Sequence, residues 1–203
     1  MTIATEAELR TIIGTAHPIT VDKEMDRLDK HARHFISLSP FLCLGTTNGE
    51  GIADVSPRGD PPGFVRVIDD TTLVIPERPG NRRADTMLNV MKNPVVGLIF
   101  FVPGIEETLR VSGQAAVIDD AALLADMAVQ GKAPKLALRI DVERVFFHCA
   151  KALKRSRLWE ASAQVPRDAF PTPGEVIRDQ RRPNDSAVEL DALVIEDQKT
   201  NLY

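Results

Sequence analysis

Cysteine is scarce in this sequence, and that scarcity is its first constraint. Only Cys43 and Cys149 occur among 203 residues. A disulfide framework is excluded; reduced thiols in the cytoplasm are the expectation, with a single bridge as the oxidised alternative. Long apolar runs are missing too: none approaches the ~20 residues that cross a bilayer as a helix, so no membrane association is expected. The opening stretch, Met1-Thr2-Ile3-Ala4-Thr5-Glu6, lacks the basic and apolar regions of a signal peptide. Positive charge is not in excess, since Lys and Arg total 25 against 29 for Asp and Glu. The net charge of −4 and a pI near 5.6 argue against a general nucleic-acid surface. There is no internal repeat, and no Gly-x-Gly-x-x-Gly follows a strand.

What is present is an ordinary soluble composition, 43% hydrophobic and 27% charged. The length suits one domain, 1–203, with a substantial core. Its organisation reads as N-terminal helices over 1–40, a β-rich core over 41–160, and a C-terminal linker and helix over 161–203.

The core is organised around the stretch from Val74 to Gly104. Leu73-Val74-Ile75-Pro76 reads as a strand end, and Glu77-Arg78-Pro79-Gly80 as a turn. In Asn81 to Lys92, the residues Ala84, Met87, Leu88 and Met91 recur at i, i+3, i+4 and i+7, the period of an amphipathic helix. Asn81 is placed as its N-cap and Asn93-Pro94 as its stop. The apolar run Val95–Val102 then returns as a strand. The first turn of this helix carries Arg82 and Arg83, and Arg78 precedes it. A helix N-terminus is partly positive and favours acids, so cations there cost ~0.3–1 kcal/mol each. Two readings stand open: a solvated basic turn offset by Asp85, or a site where an anion is held by the N–H groups and guanidinium forks together.

Along the rest of the chain, Thr5-Glu6-Ala7-Glu8 is a capping box for a short helix ending near Gly14. A second helix is expected over Val21–Ser37, with Met25, Leu28, Ala32, Phe35 and Ile36 as its apolar stripe. His31 and His34 lie one turn apart on it; no third ligand accompanies them, so a polar face is the reading and no metal site is assigned. Phe41–Thr47 is a strand, and Asn48-Gly49 a hairpin signal leading to Ile52–Ser56. Ser56-Pro57-Arg58-Gly59-Asp60-Pro61-Pro62-Gly63 reads as a loop. Phe64–Ile68 and Leu73–Ile75 form another hairpin. Glu107–Val117 alternates in the manner of a half-buried strand, Asp119–Gln130 is a short helix, and Leu136–Val142 with Arg144–His148 extends the sheet. Cys149–Trp159 is polar and basic. A linker with Pro166, Pro171 and Pro173 precedes a final helix over Ser186–Gln198. The fold class expected is mainly β: a six-stranded antiparallel barrel with flanking helices.

This order of elements resembles the pyridoxamine-phosphate-oxidase-like family of FMN-binding split barrels, over roughly Phe41 to Trp159. The most specific part is the strand, the Asn81-Arg82-Arg83 turn, the helix, Asn93-Pro94, and the strand before Glu107-Thr108-Leu109-Arg110-Val111-Ser112-Gly113. The resemblance implies FMN as cofactor, with Arg82 and Arg83 at its phosphate beside Asn81. It also implies Ile75 and Pro76 at the strand end near the flavin, Thr108 on the strand that lines it, and Ser56, Pro57 and Arg58 along the ring. His148-Cys149-Ala150-Lys151 with Arg155-Ser156 and Leu158-Trp159 is similar to a subgroup of FMN-dependent enzymes and adds Lys151 and Arg155 to the expected contacts. For Arg58 a solvated role stands as the alternative, for Lys151 and Arg155 a solvated or dimer-contact role, and Thr108 reads equally as an ordinary strand residue. The family's vitamin-B6 oxidases carry a late Arg-x-His; this chain has no histidine after His148 and reads Thr200-Asn201-Leu202-Tyr203, so that activity is not assigned. The resemblance implies an FMN-dependent oxidoreductase with a small-molecule substrate, built as a homodimer with flavin sites at the subunit interface. A non-catalytic flavin-binding or storage protein is the alternative. No catalytic residue is singled out.

Overall fold

Asn48 supplies the turn that starts the sheet. Its side-chain oxygen accepts from the N–H groups of Glu50 at 2.9 Å and Ile52 at 3.1 Å, reversing the chain between β1 (Phe41–Thr47) and β2 (Ala53–Gly59). The computed structural model describes residues 2–80 and 82–203. Three helices precede the sheet: α1 (Glu6–Ile13), α2 (Pro18–Val21) and α3 (Lys30–Leu38). After β2 come β3 (Arg66–Val67), β4 (Thr72–Pro76), α4 (Asp85–Lys92), β5 (Val95–Phe101), β6 (Thr108–Ile118), α5 (Ala121–Asp126) and β7 (Ala137–His148). The chain ends with α6 (Lys151–Ser156), α7 (Pro173–Arg181) and α8 (Ala187–Thr200). No helix among the described residues is long and apolar enough to cross a membrane.

The seven strands form one sheet in the order β2-β1-β5-β6-β7-β4-β3, antiparallel at every pairing. The expected class holds, mainly antiparallel β with flanking helices, with seven strands in place of six. The expected Phe64–Ile68 strand is reduced to the two-residue β3. The two strands expected at Leu136–Val142 and Arg144–His148 are one continuous β7, and a bulge opposite Ser112 and Gly113 absorbs the change of register. Gly113 must be glycine, because a Cβ there would drive into the Asp141 carbonyl.

One face of the sheet builds the core. Leu42 and Leu44 of β1, Leu98 and Phe100 of β5, Leu109 and Val111 of β6, and Leu138 and Ile140 of β7 pack with Ala32, Phe35 and Ile36 of α3. The helix expected over Val21–Ser37 is interrupted. Met25 exchanges backbone hydrogen bonds with Val145 in both directions, at 2.9 and 2.8 Å, so the chain is pinned to β7 between α2 and α3. Asp29 then caps α3, accepting from Ala32 N–H at 2.8 Å. The proline-rich segment contains a helix that composition concealed: Thr172 and Glu175 form a capping box, with Pro173 at the first helical position. Cys43 and Cys149 are not bridged.

Two further differences bear on the site. The α4 helix begins at Asp85, not in the arginine pair, and Ala84 is its cap in the left-handed conformation (φ 58°) without a side-chain hydrogen bond. Asn81, expected as the cap, lies outside the described residues. The face that α4 buries is Thr86, Met87, Asn89 and Val90. Leu88 and Met91, expected inside, are 52% and 69% exposed. The polar Asn89 is accommodated because its amide donates to Thr46 Oγ1 at 3.0 Å.

Candidate functional site

Strand order puts β2 at one edge of the sheet and β3 with β4 at the other, and no backbone ladder joins these edges among the described residues. Side chains bridge the split. Arg58 of β2 forms an ion pair with Glu77, the residue after β4. Asp60, just beyond β2, pairs with Arg78 at 2.6 Å. The helix α4 closes the same seam: Arg58 Nη2 donates to Thr86 Oγ1 at 2.9 Å, and the Ser56 and Thr86 hydroxyls meet at 3.1 Å. Arg58 Nε is buried and has no hydrogen-bond partner among the described residues, an orphaned donor that a native site usually explains by a ligand or solvent.

Ser56, Pro57 and Arg58 therefore lie on a strand, where a loop was expected. Pro57 is tolerated because β2 is an edge strand paired only with β1, opposite Cys43. The strand's pleat sends Ser56 and Arg58 to the same side, toward Thr86. Ile75 and Pro76 end β4 and are buried, paired with Leu138 and Ala137. They fix where the next turn begins.

That turn, residues 77–84, carries the arginines. Arg82 (φ 60°) and Ala84 (φ 58°) both hold left-handed backbone, an arrangement that costs roughly 1–3 kcal/mol per non-glycine residue and clusters at ligand sites. Left-handed Ala84 leads directly into helical Asp85, and the first N–H groups of a helix have no partner within it. Arg82 is exposed, and Arg83 donates from Nε to Asp85 Oδ2 at 2.7 Å at the helix start. Arg78 is not part of this group: it is committed to Asp60 and, through Nη2, to the Met127 carbonyl at 2.9 Å.

The remaining expected residues stand elsewhere. Thr108 opens β6, buried, opposite His148. His148 lies at the far end of β7 from Ala137, which pairs with Pro76. Lys151 and Arg155 follow on the exposed α6. Among the described residues, no hydrogen bond or ion pair joins Thr108, Lys151 or Arg155 to the group around Arg58 and the turn. Sequence reasoning missed Glu77, Thr86 and Asp60. Nothing local marks them, since each acquires its role only when the two sheet edges meet.

The sequence model of the family described as Pyridoxamine 5'-phosphate oxidase matches residues 28–149, from the approach to α3 through the end of β7. No curated protein matches the chain. Among solved structures, the chain is similar to HupZ of Group A Streptococcus, at 20% identity over 59% of this chain and 92% of that one, with a TM-score of 0.48. It is similar to a putative pyridoxamine 5'-phosphate oxidase of Lactobacillus delbrueckii, at 20% identity over 60% and 95%, with a TM-score of 0.47. An FMN-binding protein of Syntrophomonas wolfei has 12% identity over 70% and 96%, with a TM-score of 0.45.

Proposed function

Because the chain belongs to the pyridoxamine 5'-phosphate oxidase family, we propose that it binds FMN at the turn before α4 and acts as an FMN-dependent oxidoreductase on a small molecule. The observation that carries this reading is the N-terminus of α4. Its cap residue Ala84 makes no side-chain hydrogen bond, it is entered through two left-handed residues, and Arg82 and Arg83 precede it. A phosphate dianion is the ligand that such a terminus favours. Arg82, Arg83, Asn81 and the first N–H groups of α4 would hold it. Ser56 and the seam around Arg58 would face the ring, with the free Arg58 Nε as a donor. Bound FMN would supply hydride or single-electron transfer; this chain's residues bind it, orient it and set the charge beside it. A compact monophosphate turn without a dinucleotide fingerprint suits FMN and not FAD.

A homodimer belongs to the same proposal. Thr108, Lys151 and Arg155 lie apart from the turn in one chain, so a second copy is needed to bring such residues to the same flavin. Leu88 and Met91, exposed on α4 next to the turn, with Val55 and Val95 on the sheet, offer apolar surface for that copy. Extraction and chromatography of cofactor from the purified protein test the reading, and FMN is expected. Recovery of FAD, or no flavin after incubation with FMN, would overturn it. Bleaching by NADH or NADPH, with reoxidation by an added acceptor, is expected of the oxidoreductase; bound FMN that neither nicotinamide reduces would make the protein a flavin carrier.

A further inference from the structure

Tyr203 lies beyond α8, in a tail with no sequence signal of its own, yet its side chain reaches the seam beside the arginine turn. Its hydroxyl donates to Asp60 Oδ1 at 2.8 Å. The other oxygen of that carboxylate accepts from Arg78 Nε at 2.6 Å. The Asp60 side chain is 1% exposed and that of Arg78 is 15%, so this is a buried ion pair whose carboxylate receives one donor on each oxygen. The Arg78 guanidinium also lies over the Tyr203 ring, 5.7 Å from its centroid. Lys132 Nζ holds the backbone carbonyl of Tyr203 at 2.8 Å. Four parts of the chain therefore converge: the end of β2, the start of the 77–84 turn, the loop after α5, and the tail.

Arg78 is, with Glu77 before it, one of the two fixed points at the start of the turn that leads to Arg82 and Arg83. A buried carboxylate that loses one of two donors keeps its partner less firmly, because the unsatisfied oxygen seeks water. We infer that Tyr203 is a positioning residue for the anion-binding turn: by completing the shell of Asp60 it holds Arg78, and through Arg78 it supports the backbone conformation of residues 82–84 that presents Arg82 and Arg83. Docking of the tail and binding of a phosphate ligand at the turn are then coupled, and the coupling runs both ways. The flavin half of this inference rests on the reading of the previous subsection; the ordering of the turn does not.

The phenol agrees with the geometry. The hydrogen bond to Asp60, then burial and the Asp60 charge, hold its ionisation above the ordinary tyrosine value, while the Arg78 charge opposes them. Asp60, Arg78 and Lys132 are the charged groups that meet Tyr203. A neutral phenol donates to Asp60 and a phenolate is repelled by it. The docked state is thus favoured below the ordinary phenol value and lost as pH rises through the raised one.

Tyr203 is the only tyrosine in the chain, so tyrosinate absorbance reports on it alone. The decisive experiment is amide hydrogen exchange on the ligand-free wild type and on Tyr203→Phe. Faster exchange across 77–84, with β5 and β6 unchanged, is expected; unchanged exchange in 77–84 would overturn the inference, as would a wild-type phenol titrating at the ordinary value of about 10. Lys132→Ala, which releases only the tail's carbonyl, should act in the same direction. With ligands, Tyr203→Phe should weaken FMN roughly fivefold or more while riboflavin, which lacks the phosphate, is unaffected; equal losses would reduce Tyr203 to general stability and overturn its positioning role. If FMN fails to bind the wild type while exchange still responds to the substitution, the flavin reading falls and the positioning of the turn stands.

Discussion

Arg82 and Arg83 matter through where the backbone puts them. Left-handed geometry at Arg82 and Ala84 is unfavourable by itself, and in the proposed site a bound phosphate would offset that cost. Arg82→Ala and Arg83→Ala should each weaken FMN about ten- to a hundred-fold, since a charge-assisted contact is worth roughly 1.5–3 kcal/mol. Riboflavin titrated in parallel should barely respond. Asp60 acts differently, on the fold. Asp60→Ala leaves Arg78 mostly buried without its carboxylate, and a broken buried pair costs on the order of 3–5 kcal/mol. Urea unfolding should show the midpoint fall with little change of slope. The sequence exposed the arginine pair because cations at a helix start run against the helix dipole. It did not expose Asp60 or Glu77, whose partners lie across a seam that forms only in the folded sheet.

Among the elements, the strands were the more legible. β1, β4, β5 and β6 follow alternation or apolar runs bounded by Asn48-Gly49, Pro79-Gly80, Asn93-Pro94 and Pro103-Gly104. Periodicity misled where tertiary contacts compete with it. The Met25–Val145 bridge displaces the start of the expected second helix. In α4 the polar Thr86 and Asn89 turn inward because Arg58, Ser56 and Thr46 await them, which rotates Leu88 and Met91 to the surface. The α7–α8 hairpin depends on one close approach: Gly174 N–H donates to Asp191 Oδ1 at 2.7 Å, and a Cβ at 174 would collide with the Ala187 carbonyl. Gly174→Ala should cost roughly 1–3 kcal/mol, seen as proteolysis within residues 172–203 while the sheet stays protected. The Thr172 hydroxyl, then the Gly174 N–H, hold Asp191 below the ordinary carboxylate value. A lowered folded value means that this contact supports the hairpin above the unfolded value of about 3.9 and is lost as pH falls through the folded one. Proteolytic sensitivity of the hairpin should therefore rise in acid, and Asp191→Asn should remove that part of the pH dependence.

At the scale of the whole chain, the antiparallel sheet has no ladder between its two edges among the described residues, and the seam between them is spanned by Arg58–Glu77, Asp60–Arg78 and α4. The proposed flavin turn lies at that seam, so ligand binding should brace the molecule. At FMN a hundredfold above its dissociation constant, mass action adds about 2.7 kcal/mol, and the melting temperature should climb with FMN. If the second copy completes the site, sedimentation at decreasing protein concentration should show loss of dimer and loss of bound FMN together; a monomer that still holds FMN tightly would contradict the shared site. A pair of fluorescence titrations of flavin-free protein, one with FMN and one with riboflavin, decides whether the turn holds a phosphate. If Arg82, Arg83 and the α4 N-terminus hold a phosphate, FMN should bind at least about a hundredfold tighter, as two charge-assisted contacts require. Equal affinities for the two flavins would show that the turn binds no phosphate and would contradict the account.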